Sequence, residues 1–143
     1  MRARFIPLLG AAFCATLLAD DFADRAKLIG TWESTDPALT LALEQNGDAI
    51  RITESHADQQ PSKIECNVGG KECQVKDSGR SAKIMLWYNG AKLVEMETRG
   101  SEVVKRRFSA SDDAMEIELI PIVPDGKPQV TKLKRAKVAA VHP

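Results

Sequence analysis

Short runs in which every second residue is apolar, separated by tight-turn dipeptides, occupy the chain from about residue 30 onward. Period-two alternation gives an extended strand one apolar face and one polar face. Asn-Gly, Gly-Gly, Ser-Gly and Pro-Asp-Gly steps are turn chemistry. No run beyond Gly30 carries a helical period, and there is no internal repeat or low-complexity tract. Such a chain reads as consecutive antiparallel hairpins.

Register follows turn by turn. A two-residue loop at Asn46-Gly47 sets Leu43 opposite Ile50 and Leu41 opposite Ile52, so both strands share one apolar face. Ser55 to Ser62 is a polar loop ended by Pro61. A hairpin at Gly69-Gly70 then places Cys66 opposite Cys73 and Ile64 opposite Val75. Facing residues of an antiparallel pair lie about 4.5–5.5 Å apart, within reach of a disulfide. A turn at Ser78-Gly79 pairs Cys73 with Ile84 and Val75 with Ala82, which gives Ala82, Ile84, Leu86 and Tyr88 the core face. Asn89-Gly90 admits two registers. A two-residue loop sets Lys83 opposite Met96. A three-residue loop, Asn89 to Ala91, sets Ile84 opposite Met96, Leu86 opposite Val94 and Lys83 against Glu97. The second buries more apolar surface and is preferred; it turns Met85, Trp87 and Leu93 outward.

The following strands carry a charge code. A three-residue loop over 100–102 pairs Glu97 with Lys105 and Glu95 with Arg107. A loop around Ser111-Asp112 pairs Lys105 with Glu118 and Arg107 with Glu116. One outer face then alternates acid, base and acid, each cross-strand pair contributing about 0.2–1 kcal/mol. The final turn is Pro124-Asp125-Gly126, and a last strand over about 130–137 sets Leu133 opposite Leu119 and Lys134 opposite Glu118. These registers carry Arg106 inward between Met96 and Ile117, and Arg135 opposite Ile117. A buried cation is costly unless paired. Arg106, helped by Arg135, is therefore expected to hold either Glu54 or the acidic head of an amphipathic ligand, with Met96, Phe108 and Ile117 beside it. The guanidinium fork suits carboxylate or phosphate.

The start of the chain has a different logic. Arg2 and Arg4 precede an uncharged run from Phe5 to Leu18, and Ala19 precedes Asp20-Asp21. This is the layout of a secretory signal peptide over residues 1–19, whose cleavage point stays open because Leu17 is a poor −3 residue. The run is too short to span a membrane. Residues 20–143 then form a single domain in the periplasm or outside the cell, with no stable membrane anchor. Cys14 leaves with the signal, and the remaining Cys66 and Cys73 read as a disulfide in an oxidising compartment. The full chain balances 20 basic against 20 acidic residues, which argues against a dedicated nucleic-acid binder.

No catalytic signature is present. Gly-x-Ser-x-Gly, phosphate-loop and dinucleotide patterns do not occur. His56 lies in the polar loop and His142 in the C-terminal tail. With both mature cysteines committed, no metal site, no cofactor and no enzymatic activity is expected. Asp112-Asp113 is read as turn chemistry.

Asp20 or Asp21 can cap a short helix carrying Phe22, Ala26 and Ile29, with Gly30 at its end. About eight to ten strands follow as an up-and-down meander, and closing the sheet into a barrel removes its exposed edges. A short helix running into Gly30-Thr31-Trp32, the meander and the late Arg135 together resemble the lipocalin signature. The mature chain resembles small exported lipocalin-like (calycin-type) domains of bacteria. The resemblance implies that Trp32 plugs the closed end of the barrel and that Arg135 packs over it. It also implies a non-catalytic binder of a small amphipathic or hydrophobic ligand. The alternative is a filled barrel acting as a protein-interaction or structural envelope module, with Met85, Trp87 and Leu93 as its outer patch. Small barrels are just wide enough for either, and an internal cavity of about a few hundred Å³ would decide for the ligand.

Overall fold

The computed structural model describes residues 21–77 and 79–137. The segment read as a signal peptide, Ser78 of one turn, and His142 lie outside these residues. The described residues are all-β apart from one helical stretch over 21–26. Ten strands follow: β1 (Gly30–Thr35), β2 (Ala38–Asn46), β3 (Ala49–His56), β4 (Ser62–Asn67), β5 (Cys73–Asp77), β6 (Arg80–Asn89), β7 (Lys92–Arg99), β8 (Glu102–Ala110), β9 (Ala114–Val123) and β10 (Gln129–Arg135). They form one antiparallel sheet in the order β4-β3-β2-β1-β10-β9-β8-β7-β6-β5. This is the expected up-and-down meander, curled into a nearly closed barrel whose seam lies between β4 and β5.

Alternation places the core. Leu39, Leu41 and Leu43 of β2, Ile50 and Ile52 of β3, Ile64 of β4 and Ala82, Ile84 and Leu86 of β6 are all buried. Each fully buried Leu or Ile contributes about 1.5–3 kcal/mol of transfer free energy, before the entropy of ordering it is counted. Trp32 and Leu28 complete the core at the end where β1 begins.

The β5–β6 register matches the expected one, with Cys73 opposite Ile84 and Val75 opposite Ala82. Elsewhere the turns differ. The β2–β3 loop is Gly47-Asp48 rather than Asn46-Gly47, because Asn46 pairs with Ala49. The slide is two residues, so the apolar face is kept, but Leu41 now faces Glu54 and Leu43 faces Ile52. Gly47 supplies the positive φ, 61°, that the turn needs.

The Gly69-Gly70 hairpin does not form a ladder. β4 and β5 are the two edges of the sheet, and Cys66 and Cys73 join them across the seam by a disulfide, with Cα atoms 6.1 Å apart. The connecting segment instead bridges outward: Val68 N donates to Asp48 O, and Gly70 N to Leu86 O.

The largest correction concerns β7. Both of its loops hold two residues, Gly90-Ala91 and Gly100-Ser101, since Asn89 pairs with Lys92 and Arg99 with Glu102. Each three-residue expectation was one too long, so β7 alone is rotated by one residue while β6 and β8 keep their faces. Leu93 turns inward and is fully buried. Glu95 and Glu97 turn inward too, opposite Leu86 and Ile84. Met96 turns outward, opposite Met85 and Lys105, and so does not face the interior. The expected acid-base-acid outer ladder is therefore absent. Of its pairings, Arg107 instead meets Glu118, at 3.5 Å.

Three further expectations fail. Leu133 pairs with Met115, not Leu119, and Arg135 pairs with Trp32 rather than sitting level with Ile117. Phe22 is 64% exposed and does not pack inward; Leu28 takes the core position below the helical stretch. Met85 and Trp87 do point outward, but both are half-buried. They lie opposite Met96 and Val94 on the neighbouring strand.

Candidate functional site

The barrel has two unlike ends. At the end where β1 starts, Trp32 is completely buried and its Nε1 donates to Leu28 O at 3.0 Å. Arg135 lies over the indole, 4.1 Å from the ring centroid. Its guanidinium donates to three backbone carbonyls, Asp112 O at 2.7 Å, Lys27 O at 2.8 Å and Ile29 O at 3.1 Å. Gly30 lets this happen: a Cβ there would stand 2.5 Å from Arg135 Nη1, and its φ of 139° is one that other residues avoid. This end is a closed plug, with Arg135 as its latch.

At the opposite end the interior widens into a cavity of about 520 Å³. Ile52, Ile64, Val104 and Leu119 supply apolar wall. Glu54, His56, Glu97, Arg99 and Arg106 supply polar wall. The charged groups come from β7 and β8, which are neighbours in the sheet, and from β3, which faces them across the barrel.

Arg106 organises them. Its Nε donates to Glu95 Oε1 at 3.2 Å, and Nη2 donates to Glu95 Oε2 at 2.8 Å. Its Nη1 donates to Glu54 Oε1. The guanidinium also lies 5.1 Å from the centroid of the Phe108 ring. Glu95 is fully buried, and the side chains of Arg106 and Glu54 are only 14% and 13% exposed. Burial works against the charged guanidinium, yet Glu95 and Glu54 outweigh it and hold its pKa above the ordinary arginine value. Burial pushes the Glu95 carboxyl up from its usual range, against the pull of Arg106. His56 Nε2 lies 3.5 Å from Glu54 Oε2, and Arg99 Nε pairs with Glu97 Oε1.

Of the residues that the sequence singles out for a ligand, Arg106 alone lines the cavity. Phe108 and Ile117 face each other in the packed core beyond it. Met96 lies on the outer face and Arg135 at the opposite end of the barrel. Of the two partners expected for Arg106, Glu54 is present, and the structure adds Glu95. The roles of Glu95, Glu97, Arg99 and His56 were missed. The signal was available in the inward Arg106, which the three-residue loops left without a phased acid on its neighbouring strand.

Among the described residues no group of His, Cys, Asp and Glu is arranged to hold a metal ion, and no helix is long and apolar enough to cross a membrane.

No protein-family model matches the chain, and no curated protein matches its sequence. Solved structures do match the fold. A secretory abundant heat soluble protein from Ramazzottius varieornatus superposes with a TM-score of 0.68 at 15% identity, covering 77% of this chain and 96% of that one. A REP1-NXSQ fatty acid transporter gives 0.66 at 18% identity, covering 80% and 99%. A Schistosoma mansoni fatty acid binding protein, solved with arachidonic acid, gives 0.65 at 14% identity, covering 80% and 99%. At these identities the likeness is one of fold: an up-and-down antiparallel β-barrel.

Proposed function

We propose that the chain is a non-catalytic binder of one small amphipathic ligand, taken into the open half of the barrel. The cavity of about 520 Å³ carries this reading, since it falls in the range of small-molecule sites, about 300–1,000 Å³. A filled barrel, the alternative, would leave no such space. The apolar chain of the ligand would lie against Ile52, Ile64, Val104 and Leu119, and its head would meet the polar cluster around Arg106. The named activities of two fold neighbours, a fatty acid transporter and a fatty acid binding protein, support a hydrophobic ligand. Both are binding or transport proteins rather than enzymes.

We also infer that the chain works in an oxidising compartment after export. The signal-like residues 1–19 and the Cys66–Cys73 disulfide support this.

The test is a titration with a neutral solvatochromic naphthalene dye. Saturable one-to-one binding is expected for the wild type. Leu119→Trp, which fills the cavity, should bind at least about tenfold more weakly, or about 1.4 kcal/mol, with an unchanged circular dichroism spectrum. A wild type that gives no saturable binding would overturn the reading.

A further inference from the structure

The charges on the cavity wall are already matched. Glu54 is held by Nη1 of Arg106, and Arg99 Nε pairs with Glu97 Oε1. Glu95 takes Nη2 of the same Arg106 guanidinium and is fully buried, so it does not reach the wall. His56 lies 3.5 Å from Glu54 and adds positive charge only when protonated. Two acids thus face two arginines on the wall, each in an ion pair. The Glu54 and Arg106 side chains are largely buried, so their pairing is little screened. A carboxylate head would compete with Glu54 and Glu95 for Arg106. An ammonium head would compete with Arg106 for Glu54, or with Arg99 for Glu97. Either ion would give up its hydration for a partner already taken, and burying a charge is costly when its pairing is incomplete.

We propose that the ligand's head is uncharged and hydrogen-bonding: a hydroxyl or a primary amide on an alkyl chain. This deepens the reading of the cavity as an amphiphile site and rests on it. Gln59, Gln60 and Ser62 line the same cavity, from the β3–β4 loop and the first residue of β4. Their amides and hydroxyl both donate and accept, so they match a head that does the same. An ionised carboxylate also has more lone pairs than one arginine uses. Glu54 and Glu97 can therefore accept a proton from the head while keeping their arginines. An ammonium reaches those lone pairs only by bringing its charge beside a paired guanidinium. An uncharged head adds hydrogen bonds and breaks no ion pair, while its alkyl chain lies on Ile52, Ile64, Val104 and Leu119.

The experiment compares three probes of one chain length, 1-octanol, octylamine and octanoate, by calorimetric titration at pH 8 on the full mature chain. Each is also run on Leu119→Trp, so that only binding in the cavity is counted. 1-Octanol is expected to bind at least about tenfold more tightly than either ion, or about 1.4 kcal/mol. Two variants then unbalance the wall in opposite senses. Glu97→Gln leaves one base in excess and should shrink the disadvantage of octanoate by about threefold or more, without helping octylamine. Arg99→Gln leaves one acid in excess and should do the reverse. If either ion binds the wild type within about tenfold of 1-octanol, the uncharged assignment is overturned while the amphiphile reading stands. A preference for 1-octanol that survives both variants unchanged overturns the assignment in the same way, because charge matching is then not its cause. If none of the three binds, the amphiphile site itself is overturned, and the assignment with it.

Discussion

Arg106 and Arg135 lie towards opposite ends of the barrel, and they are held in opposite ways. Arg135 lies on an indole and gives its hydrogen bonds to neutral backbone carbonyls. Arg106 lies by a phenyl ring and gives its hydrogen bonds to two carboxylates. The first arrangement ties chain segments together, because its acceptors belong to the chain before β1 and to the β8–β9 turn. The second ties together charges from the neighbouring strand, Glu95, and from across the barrel, Glu54, beside an open space. A neutral latch closes one end. A paired-charge cluster leaves the other end polar, yet compensated enough to be buried.

The comparison predicts that the two arginines fail differently when removed. Arg106→Met leaves Glu95 buried without its partner, and removing one member of a buried pair costs about 3–5 kcal/mol. Chemical denaturation at pH 8 should show that loss. The sign of its pH dependence follows from Glu95. Its folded pKa is already raised by burial, and loss of Arg106 raises it further. A carboxyl whose folded pKa is raised favours the fold while protonated, below its unfolded pKa, and that favour is lost as pH rises through the folded pKa. The deficit of Arg106→Met should therefore shrink as pH falls from 8 towards 5. A deficit that stays constant over that range would break the account.

Arg135→Met should cost less, about 2–3 kcal/mol, from lost carbonyl hydrogen bonds and ring stacking. Its acceptors do not titrate, so its deficit should be the same at pH 5 and pH 8. Hydrogen exchange should localise the damage to residues 24–30, which the guanidinium ties down. Equal pH dependence in both variants would erase the distinction between the two ends.

Gly30→Ala is a finer probe of the latch. The added Cβ meets Arg135 Nη1 at 2.5 Å on a backbone of φ 139°, and an expected cost of about 1–3 kcal/mol comes from strain of that kind. Part of that cost depends on the guanidinium. In the Arg135→Met background the same substitution should cost less, by about 0.5–1 kcal/mol. Strict additivity would mean that the glycine serves the backbone alone.

The latch was legible in the sequence and the cluster only half so, for a physical reason. Gly30, Trp32 and Arg135 are the residues on which the lipocalin resemblance rests, and the resemblance set Arg135 over Trp32 where the loop registers alone set it level with Ile117. The cluster depends on β7, which is apolar on both faces. Leu93 belongs to one face and Val94 and Met96 to the other, so burial of apolar side chains does not choose between them. Three-residue loops would turn Val94 and Met96 inward and the glutamates outward. The structure does the reverse, because Glu95 inside neutralises Arg106 and Val94 remains sheltered, 1% exposed, on the outer face. Two consecutive loops each one residue shorter than expected make this flip without disturbing β6 or β8. An inward arginine with no acid beside it was the mark of the wrong register. The signal-like residues 1–19 carried a separate prediction that the described residues do not reach.

The smallest effect gives the sharpest test of that flip. Had Glu97 faced outward opposite Lys105, with Glu118 on the other side, Lys105→Glu would have set acids against each other and cost about 1 kcal/mol at low salt. In the structure Lys105 lies opposite Met96 and Ile120. Glu118 is engaged by Arg107 instead, at 3.5 Å. Reversing the charge at Lys105 therefore removes no pairing and adds no directly opposed like charge. The expected change is within about 0.5 kcal/mol, the ordinary range for an outward substitution, with little dependence on salt. Arg107→Glu, two residues along the same face, is the control: it opposes Glu118 directly, and its cost should rise as salt is lowered. A melting curve for Lys105→Glu that falls as far as that control's would return the glutamates to the outer face, and would leave Arg106 without Glu95.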